Sequence, residues 1–468
     1  MQSRVKNRSS LAAALAAAML VPAISSAAPS TTLYGGGASL PATAYVGSSW
    51  FTPSPALRLS TAGDAGSLFG QYTASTTALP IGFFTGTTTR PAVSYCQTGS
   101  GTGKKVLIGD PTVSASNACP DAGTSSVTGF GAPSGVQASY VGSDSPLSAS
   151  EFSAFLTNKP ARVQPVQFPA IGAVIAVIYN NPSVQAASLA LSESKICRIF
   201  SGDITDWRQL GPFPSKPIKV VYRSDGSGTS FAFSNHLSKV CPTASPVAVT
   251  GFKTNQTFSS AFPVAAPTGS IASPQNGGVT TTVSNTDGAI GYADVADTSE
   301  RIRLNPSISL KFASIVLKDG INPATGKAFI RRNPLVHPAT FNLGNVVTDK
   351  VIASSLDANG RPVMQDIVAP PRPGCVLLAD PDSYATSPLS ASGDYASYPI
   401  VAVSYLLANA AGNGQNTFNL RALLAAPYGK AAAGSYSAGT TTIGAGKGYL
   451  FLTGQIPGPL KISQCVRV

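Results

Sequence analysis

The clearest chemical signal in the chain is the stretch Ile218-Lys219-Val220-Val221-Tyr222-Arg223-Ser224-Asp225-Gly226-Ser227-Gly228-Thr229-Ser230. It reads as strand, glycine turn and helix, with Phe233, Leu237 and Val240 following at helical spacing. The first N–H groups of a helix lack intrahelical partners and the helix dipole is positive there, so such a turn holds an anion without any lysine. Glycines let the backbone approach closely, and the hydroxyls of Ser227 and Thr229 add donors. Arg223 at the strand end supplies a guanidinium, with Asp225 near enough to orient it. The competing reading of this stretch is a plain turn whose serine caps the helix.

Three more loops have related chemistry. Thr98-Gly99-Ser100-Gly101-Thr102-Gly103-Lys104-Lys105 looks like a nucleotide-binding loop, but Thr98 stands at the first required glycine and Lys105 where a magnesium-binding hydroxyl belongs. Its amides and Ser100 remain suited to a simple anion. Tyr34-Gly35-Gly36-Gly37-Ala38-Ser39-Leu40-Pro41 again sets small residues around a hydroxyl, a flexible tail being the alternative. Val141-Gly142-Ser143-Asp144-Ser145-Pro146-Leu147 places a carboxylate in a tight turn, where Asp144 is either a capping residue or a ligand.

The elements that must position these loops follow from the local pattern. Ser148-Ala149-Ser150-Glu151 fits a capping box, so a helix is expected from about residue 149. Gly172 to Tyr179 is a continuous apolar run rich in β-branched residues, suited to a strand buried on both faces. Helical signals cover 189–200 and 229–240, with strands at Ile218–Tyr222 and Gly288–Tyr292. Strands alternating with helices imply α/β construction. Further on, Ala328-Phe329-Ile330 and Pro334-Leu335-Val336 read as strands, and Tyr398–Ala408 and Phe418–Tyr428 as buried helices. No fixed-period repeat occurs.

The chain begins with Arg4, Lys6 and Arg8, an apolar run from Leu11 to Ile24 and small residues up to Ala28, the layout of a secretory signal cut after Ala27 or Ala28. Losing those three basic residues takes the formal net charge from +12 to +9. With 11% charged residues and no Lys/Arg runs, the basic balance suits a general pull on small anions better than binding to nucleic acid. Roughly 440 residues would make two domains or one bilobed body. Six cysteines in an export context suggest three disulfides, and of the fifteen pairings available the nearest-neighbour set brackets local units: Cys96 with Cys119, Cys197 with Cys241, Cys375 with Cys465. Metal ligation is the weaker reading, since no CxxC occurs and the histidines are His236 and His337.

Together, and in order, the four loops resemble the phosphate-binding proteins of high-affinity phosphate ABC transport, and more closely their DING branch. Gly35 to Pro41 looks like the DING start, Gly99 to Lys104 its second loop, Gly142 to Ser145 its third and Arg223 to Thr229 its fourth; Ile196 to Trp207, Gly288 to Tyr292 and Pro399-Ile400 also match. The resemblance implies an α/β, two-lobed periplasmic-binding-protein (Venus flytrap) fold of class II type with hinge strands. Lobe 1 would be discontinuous, 29–172 and 288–468, and lobe 2 would be 173–287, after a signal peptide at 1–28. It also implies a phosphate site made by Ser39, Leu40, Ser100, Asp144, Arg223, Ser227, Gly228 and Thr229, with no cofactor and no metal.

The implied setting is a periplasmic or secreted monomer whose partner, in a transport role, is a phosphate ABC transporter permease. Departures from the family are the long interval between Ser39 and Ser100, the stretch carrying Cys119, and residues 300–375, where extra loops would cover the cleft or present a new surface. Gly63-Asp64-Ala65-Gly66-Ser67 is an alternative second loop without a comparable serine–glycine frame. Two other classes of function stay open: a secreted DING-like alkaline phosphatase using the same anion cradle, for which His236 offers no convincing base because it falls inside a helix, on its surface or in its packing; and an extracellular adhesion or surface protein that kept the fold and lost the ligand.

Overall fold

A computed structural model describes residues 32–47, 58–60, 92–119, 129–184, 189–336, 345–428, 447–452 and 459–468. The proposed signal, the loop Gly63–Ser67 and His337 lie outside the described residues.

The first half of the molecule is a mixed sheet. Strands β1 (Thr32–Gly37), β2 (Arg58–Ser60), β3 (Ala92–Gln97) and β4 (Tyr140–Ser143) lie in the order β2-β3-β1-β4, with β1 parallel to both β3 and β4. The strand Val401–Asn409 adds to β4 antiparallel and then to the first part of β5 (Pro165–Tyr179). All 15 residues of β5 are buried, which is what an apolar run without alternation requires. The pairing of β5 with Val401–Asn409 contains one irregularity, where Ser404 faces Ile171 and Tyr405 faces Pro169. Pro169 has no N–H to give the ladder, and a bulge at Ala170 absorbs the missing bond.

At Val174 the partner of β5 changes. From Ile175 to Tyr179 it pairs with β9 (Ala289–Asp294), and the order continues β5-β9-β7-β8, where β6 is Ala190–Ser192, β7 is Lys219–Arg223 and β8 is Ile271–Ser273. One strand thus belongs to two half-sheets, making it a hinge connection between two lobes. The boundary expected at 287/288 falls within the second half, because β9 pairs with β7 and because Lys311–Phe312 and Ser314–Val316 pair with β5 and β6.

Several expected elements appear with changed bounds. The capping box at Ser148 starts the helix Ala149–Asn158, Glu151 N–H reaching Ser148 Oγ at 3.2 Å and Ser148 N–H reaching Glu151 Oε2 at 2.8 Å. Segment 189–200 opens with β6 and becomes helix only at Glu193–Ser201, capped by Ser192. Tyr398–Ala408 is not a helix: Val401–Asn409 is a strand buried throughout. A strand covered on both faces is apolar on both, so periodicity does not separate it from a buried helix, and the β-branched Val401 and Val403 are the discriminating signal. Pro334–Val336 is a turn, and the strand near residue 328 covers only Lys327–Ala328. Phe418–Tyr428 is covered by the helix Thr417–Ala425 and the short 3-10 turn Ala426–Tyr428.

Disulfides join Cys96 to Cys119, Cys197 to Cys241 and Cys375 to Cys465. Within 300–375, Lys350–Leu356 and Pro362–Asp366 form a hairpin. At its base Ile352 N–H donates to the Leu147 carbonyl at 2.9 Å, and at its tip the Gly360 carbonyl accepts from Thr254 N–H at 2.8 Å. The hairpin therefore touches both halves of the molecule.

Candidate functional site

The loops that follow β1, β3 and β4 leave the carboxyl ends of parallel strands, and so do those that follow β7 and β8 on the other side. This is where open α/β sheets present ligand sites. Glycine lets the strands and loops close up. A Cβ on Gly37 (φ 130°) would lie 2.1 Å from the Gly142 carbonyl oxygen, and one on Gly99 (φ 81°) would lie 2.3 Å from Asp225 Oδ2.

The two halves meet through these loops. Gly101 N–H bonds the Gly226 carbonyl at 2.8 Å, and the Ser100 hydroxyl oxygen accepts from Asp144 N–H at 3.1 Å and from Gly228 N–H at 3.0 Å. Ser100, Asp144 and Gly228 are thus brought into one cluster although 128 residues separate the first from the last. Lys104 does not face it. Its fully buried ammonium turns back to the Pro146 carbonyl at 3.1 Å and to Glu151 Oε2 at 2.9 Å, tying the helix Ser100–Ile108 to the loop that carries Asp144.

On the other side, Ser227 is the N-cap of the helix Gly228–Val240, its oxygen accepting from Ser230 N–H at 3.1 Å. The plain helix-cap reading of that turn is therefore correct as far as it goes. The helix is held on β9 by Phe233 stacked on Tyr292 with centroids 4.4 Å apart, a contact that adds about 1 kcal/mol to the area it buries. Tyr292 also shares a hydrogen bond with Ser230 at 2.7 Å.

Arg223 is buried and forked onto Asp225, Nε to Oδ1 at 2.7 Å and Nη2 to Oδ2 at 2.5 Å. Burial alone would raise the Asp225 carboxyl, but the guanidinium overcomes it and holds the group below the usual carboxylate range.

Sequence reasoning missed Gln275 and Asn276, at the start of the helix Gln275–Asn285. Asn276 gives its backbone N–H and its Nδ2 to Ser39 Oγ at 3.2 and 3.1 Å, gives Nδ2 to Thr229 Oγ1 at 3.2 Å, and accepts from Arg223 Nη1 at 3.3 Å. Gln275 reaches across to the Gln97 carbonyl at 2.8 Å. The available signal was Pro274 before two polar residues and two glycines, the start of a helix preceded by a short strand. Leu40 is buried beside Ser39, its carbonyl accepting from Tyr449.

One pattern runs through the cluster. The oxygens of Ser39, Ser100, Ser227 and Thr229 each accept from N–H groups of the protein, so each hydroxyl proton is left to donate elsewhere. Asp144 is the opposite. It is 1% exposed, and neither carboxylate oxygen has a hydrogen-bond partner. Burial pushes its carboxyl up to about 7, with the neighbouring Ser404 hydroxyl and the Arg223 guanidinium pulling the other way.

This has a consequence for stability. A carboxyl raised in the folded state binds its proton more tightly there than in the unfolded chain, so its contribution falls as pH rises from about 4 to about 7 and is then constant. The expected result for ligand-free protein is that Asp144→Asn is more stable than the parent at pH 8 by up to about 4 kcal/mol, with the difference shrinking toward pH 4. Urea titrations at the two pH values check it. Asp294, raised by burial and by Asp297, titrates in the same direction and is common to both proteins.

His236 is buried, not on the helix surface. Its Nδ1 donates to the Ala385 carbonyl at 2.9 Å and its Nε2 faces Glu193 Oε2 at 3.0 Å, while Tyr395 holds the other Glu193 oxygen at 2.7 Å. Both ring nitrogens are engaged in packing contacts. Among the described residues no helix is long and apolar enough to cross a membrane.

A model of the PBP superfamily domain matches residues 46–326. The chain is 31% identical over 324 residues to alkaline phosphatase L of Pseudomonas aeruginosa, covering 68% of this chain and 69% of that protein. It is 41% identical over 85 residues to the phosphate-binding protein PstS of Haemophilus influenzae, covering 16% of this chain and 25% of that one. Among solved structures, a DING protein superposes with a TM-score of 0.53 at 20% identity over 92% of both chains. A high-affinity periplasmic phosphate-binding protein bound with phosphate superposes with a TM-score of 0.51 at 21% identity over the same shares. The two lobes sharing β5, the ordered loops and the family match agree: this chain belongs to the PBP superfamily, and its fold is that of the solved DING and phosphate-binding proteins.

Proposed function

We propose that the chain is an exported solute-binding protein that holds inorganic phosphate between its lobes for uptake or scavenging. The ligands are Ser39, Leu40 through its amide, Ser100, Asp144, Arg223, Ser227, Gly228 and Thr229. The observation that carries this reading is the polarity of the cluster, with four hydroxyls set to donate and one buried, unpaired carboxylate set to accept.

Near neutral pH phosphate keeps a proton and sulfate does not. Asp144 accepts that proton from phosphate; against sulfate it would face a second acceptor, and unmatched buried polar groups discriminate strongly. Arg223 offsets part of the anion's charge, and the amides at the start of the helix Gly228–Val240 spread the remainder. A transport role adds a phosphate ABC transporter permease as partner, and the expected location is the periplasm or outside the cell.

Calorimetric titration at pH 8 tests the reading. Phosphate is expected to bind one to one, with sulfate at least about 1,000-fold weaker. Silence toward both anions contradicts it and favours a surface protein that kept only the fold. The phosphatase reading is favoured by the name of the Pseudomonas relative. Turnover of a chromogenic phosphate ester, abolished by Ser227→Ala or Arg223→Ala, would establish that reading instead.

A further inference from the structure

Asn276 lies outside the ligand set proposed above, yet it touches three members of it. Its orientation is determined by chemistry. The guanidinium of Arg223 can only donate, and Nη1 lies 3.3 Å from Oδ1, so that end of the amide is the carbonyl and the other end is the NH₂. The NH₂ therefore faces Ser39 Oγ at 3.1 Å and Thr229 Oγ1 at 3.2 Å as a donor to both. The Asn276 backbone N–H adds a second donor to Ser39 Oγ at 3.2 Å, and Arg223 Nη1 a second to Thr229 Oγ1 at 3.4 Å. With two N–H groups on each oxygen, neither hydroxyl has a nearby acceptor among these partners for its own proton.

The backbone supports the same arrangement. Gln275, the residue before it, has φ 57°, a conformation that residues other than glycine adopt only with strain. Its N–H is fixed on Asp225 Oδ1 at 2.9 Å, the same carboxylate that holds Arg223. The strained residue aims the Asn276 N–H at a serine of the opposite lobe, which ordinary helix capping does not require.

We propose that Asn276 is a positioning residue for anion binding: oriented by Arg223, it donates to Ser39 and Thr229 and so leaves one hydroxyl proton from each lobe to donate to the bound oxyanion. The inference rests on the phosphate reading and deepens it. It also couples closure to recognition, because Ser39 meets Asn276 only when the lobes are together.

The test is phosphate calorimetry on Asn276→Ala in two backgrounds, the parent chain and Ser39→Ala/Thr229→Val, in which the two hydroxyls are gone. In the parent background a loss of about 30-fold is expected, and in the second background a further loss of less than about threefold, because residues acting through one another are not additive. Equal losses in both backgrounds overturn the inference, since a merely structural role costs the same in each. Asn276→Asp keeps the shape and the Arg223 contact but cannot donate, so it is expected to lose at least as much as Asn276→Ala; parent-like affinity in that variant also overturns it. If the parent chain binds no phosphate, the functional reading itself fails, and the inference with it.

Discussion

With Asp144 replaced by asparagine, the preference for phosphate over sulfate is expected to collapse from at least about 1,000-fold to about tenfold at pH 8, while phosphate affinity falls much less. Apart from the neighbouring Ser404 hydroxyl, the buried carboxylate has no partner, so it is open to accept from the ligand. Asparagine offers a carbonyl that still accepts the phosphate proton and an NH₂ that can turn toward a sulfate oxygen. Competition calorimetry on the two proteins reads the change. The same argument gives a pH dependence: burial brings the Asp144 carboxyl up to about 7, so below that value it carries its own proton and can donate to sulfate. Sulfate binding by the parent chain is therefore expected to strengthen as pH falls through 7 and to be flat in Asp144→Asn. Unchanged selectivity in the variant would remove Asp144 from this role.

The second large effect is expected at Gly228. A Cβ there would lie 2.5 Å from Asp144 Cβ and 2.6 Å from Ser100 Oγ, both in the opposite lobe. Its φ is not in the left-handed region, so alanine suits the local helix start and the obstacle is closure alone. Gly228→Ala is expected to weaken phosphate binding at least about 100-fold, or roughly 3 kcal/mol. Thermal unfolding of the ligand-free protein should change little, because each lobe folds around contacts that the new methyl does not touch. Parent-like affinity would mean that the lobes do not meet at this point when the anion is bound.

These two positions also illustrate how far the sequence reaches. Arg223 to Thr229 was legible because strand, turn and helix are contiguous and the apolar flanks fix where the turn lies. Asp144 was legible only as a turn residue, and family order singled it out. Asn276 was not legible at all: its contacts are with Ser39, 237 residues away, and with Thr229, 47 residues away, and its own neighbourhood shows only a helix start. The same distinction holds in the fold. The second half of β5, Gly172–Tyr179, reads as a β-branched run, whereas its first half, with Pro165, Gln167 and Pro169, does not, and in Val401–Asn409 only Val401 and Val403 favour strand over helix. β9 lies in the second half-sheet and not in the lobe expected from residue 288 onward, because Gly288 marks the turn from the helix Gln275–Asn285 into β9, and a turn in sequence does not say which sheet follows.

The central claim is that phosphate sits where the four hydroxyls set to donate and Asp144 converge. A crystal structure of the protein grown with phosphate tests it most directly. The predicted result is one phosphate within hydrogen-bond distance of Asp144, Arg223, the Ser39, Ser100, Ser227 and Thr229 hydroxyls and the amides at the start of the helix Gly228–Val240. Phosphate bound at any other place, or at this place with Asp144 turned away from it, would contradict the account.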